Sequence, residues 1–173
     1  MVTKKIDVDV ALLLRILDDA YGGKSWHGPN LYGSVRAIPL DEALWRPGHG
    51  RHNIAEIVLH AAYWKYAVRR RLRNEKRGSF PLKGSNWFAL PEQLTKQAWK
   101  DCVRLLDGQH KELREAVAGL SASDLNRRAA RSKLDNAKVI YGVAAHDVYH
   151  TGQIRLLKAM HAESSRPRRG QGS

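Results

Sequence analysis

The amino-acid sequence predicts an all-α fold, a four-helix bundle with long first and second connections. Three observations carry this. Four stretches repeat apolar residues at three- and four-residue spacing, the period of a helix with one buried face. No stretch shows the two-residue alternation of a strand. Glycine, proline and small polar residues cluster between the periodic stretches. A chain of 173 residues suits a single domain with a substantial core.

The first helix is expected from about Ile6 to Tyr21, with Val10, Leu13, Leu14 and Leu17 as its apolar stripe. Gly22 and Gly23 should stop it, since glycine accepts the left-handed conformation many helix ends need. A connection from about Lys24 to His52 follows, with a WHGPN turn and two short amphipathic pieces, LYGSVRAI and LDEALW. Connections of this length are often functional, and this one carries Trp26, His27, Trp45, His49 and His52, so it reads as a lid or rim. The second helix begins after Asn53, a good N-cap, with Glu56 three residues on completing a capping-box pattern. It runs to about Leu72 with Ile57, His60, Ala61, Trp64 and Val68 on one face.

Gly78 to Gln93, with Pro81, Gly84 and Pro91, forms the second long connection. The third helix spans about Leu94 to Val117, with Trp99, Val103, Leu106, His110, Leu113 and Val117 inward and Gly119 at its end. A polar loop containing SASD leads to the fourth helix, from about Asn136 to Ala162. Its inner stripe is Val139, Val143, His146, His150, Gln153 and Leu157. The bundle domain is therefore expected over residues 1–162, and the basic stretch 163–173 has the composition of a disordered tail.

Composition narrows the setting. The chain has one cysteine, Cys102, which excludes an internal disulfide and reads as a small buried hydrophobe. Near the N-terminus a short apolar run is interrupted by Asp7, Asp9 and Arg15, unlike a signal peptide. No run is apolar enough to cross a membrane, so a cytoplasmic setting is expected. The net charge of +13 would attract polyanions, nucleic acid above all. The run RRRLRNEKR, Arg69 to Arg77, concentrates that charge, but it also lies where basic residues complement a helix dipole and reads as a solvated face.

The chemistry sits in the histidines. His146 and His150 are four residues apart, one turn apart on the same helical face, within reach of one metal ion. Their stripe is otherwise apolar, and a buried imidazole without partners is unfavourable. His60 adds an inward histidine from another helix, and bundle metal sites are built from such facing side chains. Three nitrogen ligands leave positions open, the pattern of a catalytic rather than a structural site. His110 has no partner at ligand spacing and reads as a core histidine; His27 could reach over the site from the long connection. A general acid or base is not evident. The candidates are His27, Glu56 one turn before His60, and Gln153 three residues after His150; Asp147 is a candidate supporting partner. Trp26, Trp64 and Tyr149 could wall the site, with core packing favoured for Trp64.

At LWRPGHGRHNIAEIVLHAAYWK and IYGVAAHDVYHTGQIRLLK the sequence resembles the DinB-like, YfiT-type family of small bacterial bundles. WHGPNL looks familial too, and the likeness extends over about Ile6 to Leu157. The resemblance implies a four-helix bundle whose three histidine ligands fall here on His60, His146 and His150. It implies a divalent metal, typically nickel, zinc, manganese or iron, and often a homodimer. It also implies a small-molecule substrate such as a low-molecular-weight thiol, because some members transfer thiols and one type was proposed to be a hydrolase. The sequence thus points to a metal-dependent hydrolase or small-thiol S-transferase. The second class is a basic nucleic-acid-binding or interaction protein with a structural or vestigial metal, although no zinc-finger, RRM or KH pattern is present.

Overall fold

The structure, a computed structural model, describes residues 8–78 and 80–166. It contains helices α1 (Val8–Tyr21), α2 (Leu31–Val35), α3 (Leu40–Leu44), α4 (Ile54–Leu72), α5 (Lys96–Ala118), α6 (Ala122–Leu125) and α7 (Asn136–Ser164). The described residues form no strand; one isolated bridge pairs Arg128 with Asp135. The long helices close a ring in which α1 and α4 each pack against both α5 and α7. This is the expected all-α bundle. No described helix is long and apolar enough to cross a membrane.

Local chemistry fixes the starts of the helices. Asn53 accepts a hydrogen bond from the Glu56 amide at 2.9 Å, and the Glu56 carboxylate accepts one from the Asn53 amide at 3.3 Å. This box satisfies donors that the first turn of α4 would otherwise orphan. Thr95 caps α5 and Asp135 caps α7 in the same way, accepting from Ala98 N at 3.1 Å and Lys138 N at 2.7 Å.

Three expectations need correction. The glycines after α1 do not adopt a left-handed conformation. What requires glycine at position 23 is close approach, since a Cβ there would lie 2.9 Å from the Asp18 carbonyl oxygen. The SASD segment is not only loop: Ser121 and Asp124 form a capping box that starts α6. The Arg69–Arg77 run is a solvated face only in part: Arg73, Asn74, Lys76 and Arg77 are exposed, whereas its first residues are drawn into the bundle. Arg69 pairs with Glu112 and, at 3.3 Å, Glu75, while Arg70 is buried and donates to the Glu75 carbonyl at 3.2 Å. Helix α7 ends on Ser164, two residues beyond the expected boundary; residues 1–7 and 167–173, with most of the basic tail, lie outside the described residues.

The core has two apolar clusters. Leu31, Val35, Ile54, Val58, Leu106 and Ile154 belong to the first; Leu14, Leu17, Val68, Leu113, Val139 and Ile140 to the second. Each fully buried side chain of this kind contributes about 2 kcal/mol of transfer free energy. Cys102 packs at the margin of the first cluster, half-buried rather than fully enclosed.

Along α4, α5 and α7 buried polar side chains lie between the two clusters. Lys65, fully buried, donates to the Asp147 carboxylate, which is also fully buried. Its Nζ also lies 3.5 Å from His110 Nδ1, and His110 stacks on Tyr21 at 3.7 Å between ring centres. His110 is therefore the core histidine expected. The metal-ligating candidates occupy the same layer, on its α4–α7 side.

Candidate metal centre

The structure brings His60, His146 and His150 together. His60 Nε2 and His150 Nε2 each lie 3.0 Å from His146 Nε2. The three potential ligand atoms all fall within 4.8 Å of one another. An ion about 2.0–2.1 Å from two imidazole nitrogens holds them roughly 2.9–3.4 Å apart, across ligand angles from square to tetrahedral. The two 3.0 Å contacts to His146 fall inside that range. His60 and His150 are buried, and His146 is half-buried.

The tautomers follow from the neighbours. His60 Nδ1 lies 2.9 Å from the Asn86 carbonyl oxygen, which only accepts, so the His60 proton sits on Nδ1. His150 Nδ1 lies 2.7 Å from Gln153 Oε1, while Gln153 Nε2 donates to the Tyr149 hydroxyl at 3.0 Å. The His150 proton is therefore also on Nδ1. Both rings aim a bare Nε2 lone pair at His146 Nε2. That atom offers either one N–H, which cannot serve two acceptors well, or a lone pair, which then faces a lone pair in both 3.0 Å contacts. His146 Nδ1 is buried without a hydrogen-bond partner. Three neutral imidazoles so arranged leave at least one inward lone pair without a donor of its own unless a cation sits where the lone pairs meet. The donor set fits a divalent metal ion.

Electrostatics keeps the ligands neutral. Burial depresses all three: His146 to about 3, aided by the neighbouring His150 and His60, and His150 to about 4 despite its bond to Gln153. His60 is lowered by burial, partly opposed by the Asn86 carbonyl. Outside the cluster, burial and then the Lys65 charge bring His110 down to about 2. The unfolded chain would protonate these rings near pH 6.5, whereas the folded chain resists until lower pH. The unfolded state thus binds more protons between those values, and stability falls as pH falls through that window. Metal-free protein should lose about 2 kcal/mol or more between pH 7.5 and pH 5, read as a drop in the urea midpoint. An unchanged midpoint would contradict the neutral, buried assignment.

Two residues from the second long connection complete the site, and the sequence reading missed them. Asn86 adopts a left-handed φ of 66°, which asparagine tolerates better than most residues. That turn delivers its carbonyl to His60 and its side-chain oxygen to Trp64 Nε1 at 2.9 Å. Trp87 lies between two imidazoles, stacked on His60 at 3.9 Å and on His52 at 3.6 Å between ring centres. A tryptophan next to asparagine in a polar connection was the available signal.

The other candidates separate. Glu56 is fully engaged: Arg46 donates to it at 2.9 and 2.5 Å, and His52 Nδ1 lies 2.9 Å away. Burial raises its carboxyl, but the hydrogen bonds from Arg46 and His52 outweigh this and hold it below the usual carboxylate range. It buttresses His52 against Trp87 and is a poor base. Gln153 orients His150. His27 is exposed and lines neither cavity beside the cluster, and Trp26 is wholly exposed. Trp64 and Tyr149 do line those cavities. Asp147 faces Lys65, away from any ligand role.

A sequence profile of the DinB superfamily matches residues 26–154, well over half of the chain. The chain belongs to the DinB superfamily. Comparisons with curated proteins and with solved structures found no match. The DinB match starts at Trp26 and so excludes α1, a shorter span than the motifs alone suggested, but it contains all three clustered histidines together with Asn86, Trp87 and Gln153.

Proposed function

We propose that this DinB-superfamily chain is a divalent-metal-dependent enzyme of hydrolase or small-thiol-transferase type, with His60, His146 and His150 as its ligands. The convergence of two bare lone pairs on His146 Nε2 carries the reading. When bound, such an ion supplies Lewis-acid polarisation and favours the deprotonated form of a water or thiol. The ligand set suits nickel, zinc, iron or manganese alike.

The protein's own contribution is positioning. Asn86 and Gln153 fix the His60 and His150 rings, as hydrogen-bonded supports of metal-binding histidines commonly do. A cavity of about 540 Å³ opens on the cluster, walled by Trp87, Tyr149, Leu156 and Met160 and edged by Arg51. It gives a small substrate access to the open side of the triad.

The nucleic-acid reading rests on net charge. Its densest run is committed to contacts within the bundle at Arg69 and Arg70, which favours the metal reading. Protein purified without added metal should carry about one equivalent of a transition metal by elemental analysis. A metal-free preparation that also fails to take up zinc or nickel would end the proposal. Ligand burial shifts the acid limit: the unperturbed histidine value places metal release below about pH 6, and the depressed values of His146 and His150 move it lower.

A further inference from the structure

A second cavity, of about 390 Å³, lies between α4 and α7 and shares His60 and His146 with the first. Trp64, Val68 and Arg71 line it from α4, and Val139, Gly142 and Val143 from α7. Its walls are mainly apolar, yet they carry two cations, Arg71 and Lys138, and no acidic residue among the described residues.

Arg71 differs from its neighbours in the basic run. Arg69 is paired with Glu112 and Glu75, Arg70 bonds the Glu75 carbonyl, and Arg73 lies within 4.0 Å of Glu75 and Glu115. Arg71 makes no ion pair among the described residues, and its Nε, like that of Arg69, is buried without a hydrogen-bond partner. Its guanidinium centre is 6.0 Å from the Trp64 ring. Burial, then the Arg70 charge, bears against its ionised form. An anion in the cavity would relieve both, and a planar guanidinium suits a planar carboxylate.

Gly142 adds an independent observation. It lies inside α7, where glycine weakens a helix, yet a Cβ there would meet nothing within 4 Å. Packing does not demand glycine at this position. Its effect is to leave the cavity wall open.

We propose that this cavity binds a small carboxylate with an apolar body. The carboxylate pairs with Arg71, the body passes over Gly142 between Trp64 and Val143, and the far end reaches the histidine cluster. The assignment rests on the metal-enzyme reading only for what happens at that far end. Arg71 and Gly142 are then specificity-determining residues for the substrate.

The test uses 4-phenylbutyrate and its uncharged analogue 4-phenylbutanamide as probes. Binding is measured by calorimetry on the full chain as purified, with metal content determined on the same samples. The acid should bind about 10-fold more tightly than the amide. Arg71→Gln should remove that preference without changing metal content, and Gly142→Leu should abolish binding of both probes. Equal binding of acid and amide, a preference that survives Arg71→Gln, or binding that survives Gly142→Leu would overturn the proposal. Stoichiometric metal without an Arg71-dependent preference would refute the cavity assignment alone. An Arg71-dependent preference in protein that binds no metal would refute the metal reading and uphold the cavity.

Discussion

Lys65→Met will destabilise the folded chain by about 3–5 kcal/mol, measured by urea denaturation. Methionine nearly matches the length of lysine, so packing changes little. What changes is the charge balance of the polar layer. Asp147 is fully buried, and its Oδ1 already lacks a hydrogen-bond partner. Without Lys65 its carboxylate is left uncompensated in the core. Burial already raises the Asp147 carboxyl, and Lys65 pulls it back. In the variant the carboxyl will take up a proton at a higher pH, and this carboxyl's contribution to stability will improve as pH falls through that value towards the unfolded carboxyl value of about 4. The double variant Lys65→Met, Asp147→Leu removes both charges and should recover most of the loss, because paired burial of charge is roughly neutral against apolar replacement. A single variant as stable as the parent would show that the pair contributes nothing.

His146→Ala will reverse sign with metal. His146 touches both other ligands at 3.0 Å and has no partner on Nδ1. In metal-free protein its removal relieves the lone-pair conflict, which offsets lost packing, and stability should stay within about 1 kcal/mol of the parent. Zinc at a hundred times its dissociation constant should stabilise the parent by about 2.7 kcal/mol and the variant by almost nothing. Thermal melts with and without zinc separate these outcomes. Equal losses in both conditions would mean that His146 is a packing residue only.

The ligand pattern was legible because it is local. A four-residue spacing fixes His146 and His150 on one face, and the apolar neighbours of His60 show that it points inward. Helix α4 was legible to the residue at its start because a capping box is a short-range pattern. The supporting shell was not. Asn86 and Trp87 reach the site through a turn whose path depends on tertiary packing, and no periodicity marks them. Lys65 was hidden for another reason. One charge within YWKYAV reads as a solvent-facing position, and only Asp147, 82 residues away, makes its burial tolerable. Glu56 misled in the opposite direction. Its spacing to His60 is right for a base, but Arg46 and His52, brought in by the first connection, claim both of its oxygens.

The most direct test is an anomalous-difference map from crystals of the zinc-loaded protein. A single strong peak about 2.0–2.1 Å from Nε2 of His60, His146 and His150 is the predicted result. Zinc bound elsewhere, or a peak touching fewer than three of these nitrogens, would contradict it.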